Sequence, residues 1–263
     1  MVVDDGSTDE TARDLAALFP EVIRLQGDGN LFWTAAINMG IRYAVEKGAD
    51  YVMTLNNDTI APPQFLEQMM AGARSKPNAL IGALAVDAES GKACYGGEIM
   101  DWRAASGIHL LNLLPQERRI GLHEVSYFPG RGLLIPRKVI DTVGDFDQKT
   151  FPHYAADYDY TLLAGHHGFP TYCNYDAPLL IYPLASGDFM NRRRRTLKGY
   201  YNHLFGIKGG GNLRNYTLFV LRHCPNRYRT RALLLGYVRR IGGYWMRKKG
   251  AQAEASPANV EGI

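Results

Sequence analysis

A chain of 263 residues with a net charge of +4 and 46% hydrophobic residues has the make-up of a globular protein, long enough for one large domain or two small ones. No apolar run approaches the roughly 20 residues of a membrane-spanning helix, and Met1-Val2-Val3 runs straight into Asp4-Asp5, which is no signal peptide. Cys94, Cys173 and Cys224 are odd in number and scattered, without zinc-like or redox spacing, which points to a reducing cytoplasm.

Val2-Val3-Asp4-Asp5 reads as the end of a parallel strand, with Gly6 in the turn behind it. Ser7-Thr8-Asp9-Glu10 has capping-box spacing and predicts a helix with Ala12, Leu15, Ala16 and Phe19 on one face, stopped by Pro20. Residues 22–25 predict a second short strand, and Gly27-Asp28-Gly29-Asn30 a loop. Ile37, Ile41, Ala44 and Val45 share one side of a helix predicted over 33–47, ended at Gly48. A β-prone run over 51–55 then stops at Asn56-Asn57-Asp58-Thr59. Strands alternating with helices of this length imply a parallel sheet of βαβ units. Ligands bind such sheets outside the carboxyl ends of the strands, where Asp58 can hold a divalent cation against a phosphate. The plainer role for Asp58 is capping the helix near Pro62.

Phe65, Leu66, Met69 and Met70 mark that next helix, and residues 79–86 a strand. Residues 87–124, which include Trp102, show no clear period and are expected to form loops and short strands walling one side of the site. A glycine-punctuated strand is predicted over 128–135, then a short helix from Pro136 to near Val143. Phe151 to Asp159 leads into a helix through Leu163, and residues 170–175 form a further strand.

The pattern changes after residue 186. Residues 187–250 hold sixteen Lys and Arg against one acid, Asp188, whereas residues 1–186 hold fourteen against twenty-three acids. Behind Arg192-Arg193-Arg194-Arg195 come helical segments in which aromatics such as Tyr200, Phe205, Tyr216 and Trp245 lie between basic residues. Such a run is usually a solvated face; the interleaved aromatics favour contact with an anionic membrane surface over nucleic acid, for which no module is present. Three parts result: a body over 1–186, a basic helical segment over 187–249, and a disordered tail over 250–263.

Several separated motifs resemble one family. Val2-Val3-Asp4-Asp5-Gly6-Ser7-Thr8-Asp9 resembles the second-strand signature of family 2 glycosyltransferases of the GT-A fold. The segment from Asn30 to Gly40 is similar to one that bacterial members carry ahead of their metal motif, and Leu55-Asn56-Asn57-Asp58 stands where those enzymes have Asp-x-Asp. Gly130 to Ile135, Val143 to Asp147 and Tyr154 to Asp159 resemble the acceptor-side block that ends in a catalytic Glu-Asp. The likeness runs to about residue 225 and is strongest to the rhamnosyltransferase-like branch that builds bacterial surface polysaccharides. It implies a mostly parallel, Rossmann-like central sheet flanked by helices. It also implies a nucleotide-sugar donor, a glycan or lipid-linked acceptor, an Mg²⁺ or Mn²⁺ cofactor and transfer with inversion. Its setting would be the cytoplasmic face of the cell membrane.

Carried over residue by residue, the resemblance makes Asp58 the metal ligand and Asp157 the base that deprotonates the acceptor. Asp4 and Asp5 would contact the nucleotide; Trp33, Asn38, Asn57 and Arg131 would line the donor site. Simpler structural roles exist for several of them: turn chemistry for Asp4 and Asp5, core packing for Trp33, surface packing for Arg131, helix capping for Asp157. Asp157 and Asp159, two apart, do not share a helix face and are not expected to act as a carboxylate pair. Three departures stand out. Asn56 replaces the first acid of Asp-x-Asp, Ala156 replaces the Glu of Glu-Asp, and no His stands near Tyr182-Pro183. The family also begins one strand and helix earlier, so β-strands here are expected to lack a ladder partner. A sugar-phosphate nucleotidyltransferase or an inactive membrane-associated scaffold are the alternatives.

Overall fold

The computed structural model describes residues 1–183 and 196–245; the Arg192–Arg195 run, the expected boundary at 186 and the tail over 250–263 lie outside them. The chain is α/β, as expected. β1 (Val2–Asp4), α1 (Thr11–Leu18), β2 (Arg24–Gln26), α2 (Phe32–Glu46), β3 (Tyr51–Thr54), β4 (Thr59–Ile60), α3 (Phe65–Ser75) and β5 (Leu80–Asp87) follow in order. The region without a sequence period folds as β6 (Ala93–Tyr95), the hairpin β7 (Glu98–Asp101) and β8 (Ser106–His109), two 3-10 turns, and β9 (Leu122–Val125). Then come β10 (Leu133–Pro136), α4 (Arg137–Val143), α5 (Ala156–His166) and β11 (Thr171–Ile181). Three helices close the described chain: α6 (Leu197–Phe205), α7 (Leu213–His223) and α8 (Asn226–Gly243).

The strand directions differ from a parallel doubly wound sheet. The central sheet has the order β3-β10-β5-β11-β4, with β6 on β5 and β9 on β11. Only β5 and β11 pair in parallel within it; β10 is antiparallel to both of its neighbours. The 128–135 strand is shorter than its apolar character predicts. The Thr54 hydroxyl bonds the Gly130 carbonyl, and Gly132 takes a φ of +70°, so residues 128–132 loop under the end of β3 and pairing starts at Leu133. β11 in turn outruns its prediction, since a bulge between Asn174 and Pro178 lets it continue to Ile181. β1 and β2 pair in parallel as a separate two-stranded sheet. The capping box also fails: the Asp4 carboxylate takes the Ser7 N–H, Asp9 receives the Thr11 N–H, and α1 starts only at Thr11.

The core lies on both faces of the central sheet. Leu80, Ile81, Leu133, Ile135 and Leu179 project from it against Met69 of α3, Val139 of α4, Tyr160 of α5, and Phe128, Phe146 and Phe151 of the loops. Gly82 makes room for Phe128: a Cβ there would sit 2.3 Å from the ring. A smaller cluster of Tyr216, Val220, Cys224 and Ala232 joins α7 to α8 and reaches Trp102 at the β7–β8 turn.

Much of the basic charge in the C-terminal helices is used inside the fold. Arg231 and Arg239 of α8 donate to the carbonyls of Arg103 and Ala105, Arg229 to that of Leu221, and Arg240 lies over the Tyr216 ring. No helix among the described residues is long and apolar enough to cross a membrane.

Candidate active site

Asp4 and Asp5 stand at the carboxyl end of β1 and do different work. Asp4 is buried; its carboxylate accepts from Ser7 N at 2.9 Å and from Arg24 Nη1 at 3.0 Å. The Ser7 bonds, with the Arg24 charge, hold it below the usual carboxylate range. Asp5 is half-buried and receives the Gly29 and Leu31 N–H groups at 2.8 and 2.9 Å, one on each oxygen. That pins the 27–31 loop across the strand end and leaves lone pairs free on both oxygens.

The next strand end carries Asn56, Asn57 and Asp58. Asn57 and Asp58 are exposed in the turn between β3 and β4. The Asn56 amide oxygen accepts from Trp33 Nε1 at 3.2 Å. The residue that departs from the family acid is thus the hydrogen-bond partner of the α2 tryptophan. Trp33 in turn covers Gly130, where a Cβ would lie 2.3 Å from the indole and 3.6 Å from Asp157 Cβ. Trp33 and Gly130 therefore join the Asp58 turn to the start of α5. Asn38 sits elsewhere. It is fully buried on α2, donating to the Phe146 carbonyl and to Gln148 and accepting from Phe146 N at 3.0 Å. It clamps the 146–148 turn from the buried side of α2.

Asp157 lies in the first turn of α5, entered through Ala155 in the left-handed region at φ 72°. A non-glycine residue there is uncommon and tends to mark functional sites. One Asp157 oxygen accepts from Gly130 N and the other from Tyr158 N, each at 3.0 Å. Burial pushes its carboxyl up; those two N–H groups and the Arg131 charge pull it part of the way back. Arg131 is thus near Asp157, and its Nε is buried without a hydrogen bond.

Asp159 turns the other way. It is 1% exposed and accepts two bonds from Arg222 Nη1, at 2.9 and 2.7 Å, and one from His223 Nε2 at 2.8 Å. Arg222 also reaches Asp147 at 2.8 Å. This ionic lock holds α5 against α7, and sequence reading missed it because its members lie more than 60 residues apart. The only signal was the paired spacing of Asp157 and Asp159. Gly130 was read as strand punctuation and as part of the acceptor-side block, without its contact to Trp33. His166 packs at the end of α5 against His223.

Among the described residues no three His, Cys, Asp or Glu side chains converge where an ion could sit. A divalent ion at Asp58 would therefore take one protein carboxylate and draw its other ligands from substrate. That suits Mg²⁺ bound with a diphosphate and does not suit a site enclosed by protein.

The chain matches the family model described as Glycosyl transferase family 2 over residues 1–144. It is also similar to the crystal structure of GalNAc-T7 with UDP, GalNAc and Mn²⁺, at a TM-score of 0.55 and 12% identity, over 88% of this chain and 47% of that one. The chain thus spans about half the length of that protein, and at this identity the likeness is one of fold, GT-A. No curated protein matches the sequence. The family match runs from β1 to the end of α4, through the elements that hold Asp4, Asp5, Asp58 and Arg131, and on that ground the chain belongs to glycosyl transferase family 2.

Proposed function

We propose that the chain is an inverting glycosyltransferase, moving a sugar from a nucleotide-diphosphate sugar to a glycan or lipid-linked acceptor in bacterial surface polysaccharide synthesis. The observation that carries this reading is the link Asn56–Trp33–Gly130–Asp157, which places an elevated carboxyl group beside the turn that bears Asp58. The nucleotide lies at the end of β1, where Asp5 and the loop it pins meet base and ribose, while buried Asp4 shapes the turn. Asn57, Trp33 and Arg131 line the way to the diphosphate. A divalent ion at Asp58 would offset the charge that develops on the leaving diphosphate.

Asp157 takes the proton of the acceptor hydroxyl as that oxygen attacks the anomeric carbon opposite the leaving group, which inverts the centre. General-base help of this kind contributes about 10²–10⁴-fold. A carboxyl raised by burial is a better base than a solvated one, and the Gly130 and Tyr158 N–H groups, with a smaller part from the Arg131 charge, limit the rise.

A peripheral membrane setting is part of the reading. Leu234, Val238 and Ile241 share one face along α8, with Trp245 just past its end, and Leu197, Tyr201 and Phe205 share one face of α6; all are exposed. Tyr200 of α6 bonds the Ile241 carbonyl, so the two stripes adjoin. An apolar stripe with arginines beside it suits an interfacial helix face. The rhamnosyl identity of the donor belongs to the proposal on sequence resemblance alone.

The test is Asp157→Asn. Transfer should fall by at least about 10²-fold while calorimetric binding of the nucleotide sugar persists. Undiminished turnover would remove Asp157 as the base.

A further inference from the structure

Beside Asp157 lies a cavity of about 190 Å³ that the sequence does not announce. Ala155 and Tyr158, the neighbours of Asp157, form one wall; Trp102, Ser106 and Tyr127 a second; Asn215, Tyr216, Phe219 and Arg240 of α7 and α8 the third. The cavity is thus built where the C-terminal helices dock on the β7–β8 hairpin, and two of its lining residues, Ala155 and Tyr158, flank the proposed base in sequence. Aromatic rings dominate it. Trp102 and Phe219 are 6.1 Å apart, and Tyr127 and Tyr158 4.7 Å. Flat apolar walls with few polar groups are the usual make-up of a small-molecule site, and aromatic faces suit the C–H faces of a sugar ring.

Two polar groups in this wall lack protein partners of the kind they need. Asn215 is 7% exposed, and its side-chain amide makes no hydrogen bond among the described residues. Arg240 faces no carboxylate among the described residues; it lies 3.5 Å from the Tyr216 ring centroid and reaches only the Gly236 carbonyl, at 3.4 Å. Burial draws its guanidinium down to about 10, the Tyr216 ring opposing and Arg239 adding to the fall. Glu98, a carboxylate of the same hairpin, is already held by the Tyr127 hydroxyl and by His109 at 3.3 Å. A partly buried cation without a counter-charge is costly. An anion arriving with the ligand removes that cost.

We propose that this cavity is the acceptor subsite, and that it takes a sugar residue bearing an anionic group, a carboxylate or a phosphate, held by Arg240 and Asn215 with the ring against Trp102 and Tyr158. The assignment rests on the transferase reading for the word acceptor; the ligand chemistry rests on the cavity alone. Its volume admits a single ring, so recognition is of the residue that receives the new sugar. The Gly206–Gly211 stretch closes the remaining side, since Gly209 and Gly210 line the cavity while Lys208 of the same loop lies over Phe32 on the donor side.

The test is calorimetry on the full chain with a disaccharide ending in glucuronate, its neutral disaccharide counterpart ending in glucose, glucose 6-phosphate, inorganic phosphate, and UDP as the donor-side probe. The glucuronate probe or glucose 6-phosphate should bind at least about tenfold more tightly than the neutral disaccharide, about 1.4 kcal/mol. Which of the two binds identifies the anion. Arg240→Gln should erase the preference and Asn215→Leu weaken it, with UDP binding unchanged in both. Equal binding of acidic and neutral probes, a preference that survives Arg240→Gln, or no saccharide binding by a chain that binds UDP would overturn the proposal. Inorganic phosphate binding as tightly as glucose 6-phosphate would overturn the sugar part of it. Saccharide binding without binding of UDP or of any other nucleoside diphosphate would leave the cavity assigned and refute the transferase reading instead.

Discussion

Replacing Gly130 by alanine puts a methyl group where the Trp33 indole lies, 2.3 Å from both Cζ2 and Cη2. Carbon atoms pack at about 3.5–4.0 Å, so the ring or the loop must move by more than about 1 Å. Neither is free to do so. The Thr54 hydroxyl ties down the Gly130 carbonyl, Asp157 holds its N–H, and the indole N–H is bound to Asn56. Overpacking costs about 1–3 kcal/mol, and loss of the Asn56 bond would add about 1 kcal/mol. Urea unfolding of Gly130→Ala should therefore show a lower midpoint at unchanged slope. Trp33→Leu removes both clashing atoms. In that background the same substitution should cost less than about 0.5 kcal/mol, giving a coupling above about 1 kcal/mol in the double-mutant cycle. An equal cost with and without the indole would refute the link between the Asp58 turn and α5.

Further outcomes follow from the site and the lock beside it. Asp58→Ala should abolish the gain in nucleotide-sugar affinity on adding Mg²⁺ or Mn²⁺, read by calorimetry, while leaving unfolding within about 0.5 kcal/mol of the parent, as befits an exposed residue; a persisting metal effect removes Asp58 as the ligand. Because burial raises the Asp157 carboxyl, the acid limb of kcat/KM should lie above pH 3.8, activity falling as pH drops through it. Arg131→Gln deletes a charge that pulls the group down and should move that limb to higher pH; a shift the other way contradicts the geometry. Asp159→Asn leaves Arg222 and His223 without their buried acceptor charge and should cost about 3 kcal/mol in denaturant unfolding, a loss below about 1 kcal/mol denying the lock its role. The same lock gives a pH dependence. Burial lifts Asp147, but the bonds from Arg222 and Thr150 outweigh it and leave the group lowered, so this part of the stability is full above pH 3.8 and declines as pH falls further.

The parts that sequence could reach were those written in local periodicity. α2 has four apolar residues at helical spacing and begins and ends within one residue of its expected limits. β3 and β5 are uninterrupted apolar runs bounded by polar turns, and both formed nearly as read. The antiparallel course of β10 was not legible, because four consecutive buried residues have the same pattern in either direction. Residues 87–124 defeat period counting for another reason: their strands are three or four residues long and half-exposed. For the site, motif resemblance named Asp157 and Asp58 but not what joins them. Trp33 to Asn56 and Gly130 is a contact between loop and helix that spacing cannot encode. The arginines of α7 and α8 read as part of one basic segment, yet backbone carbonyls and Asp159 take up several of them. The empty charge at Arg240 emerges only after those pairings are known.

The separate β1–β2 sheet has a consequence for energetics. Among the described residues its strands pair only with each other, α1 buries no residue, and β1 rests on α2 through contacts such as Val3 against Gly40. Such a unit can open without unfolding the central sheet, so its amides are expected to exchange with solvent well before those of β5 and β11. The nucleotide end of the proposed site rides on this opening layer. Apparent nucleotide affinity then equals the intrinsic affinity scaled by the closed fraction, and any contact that holds the layer shut tightens binding without touching the ligand.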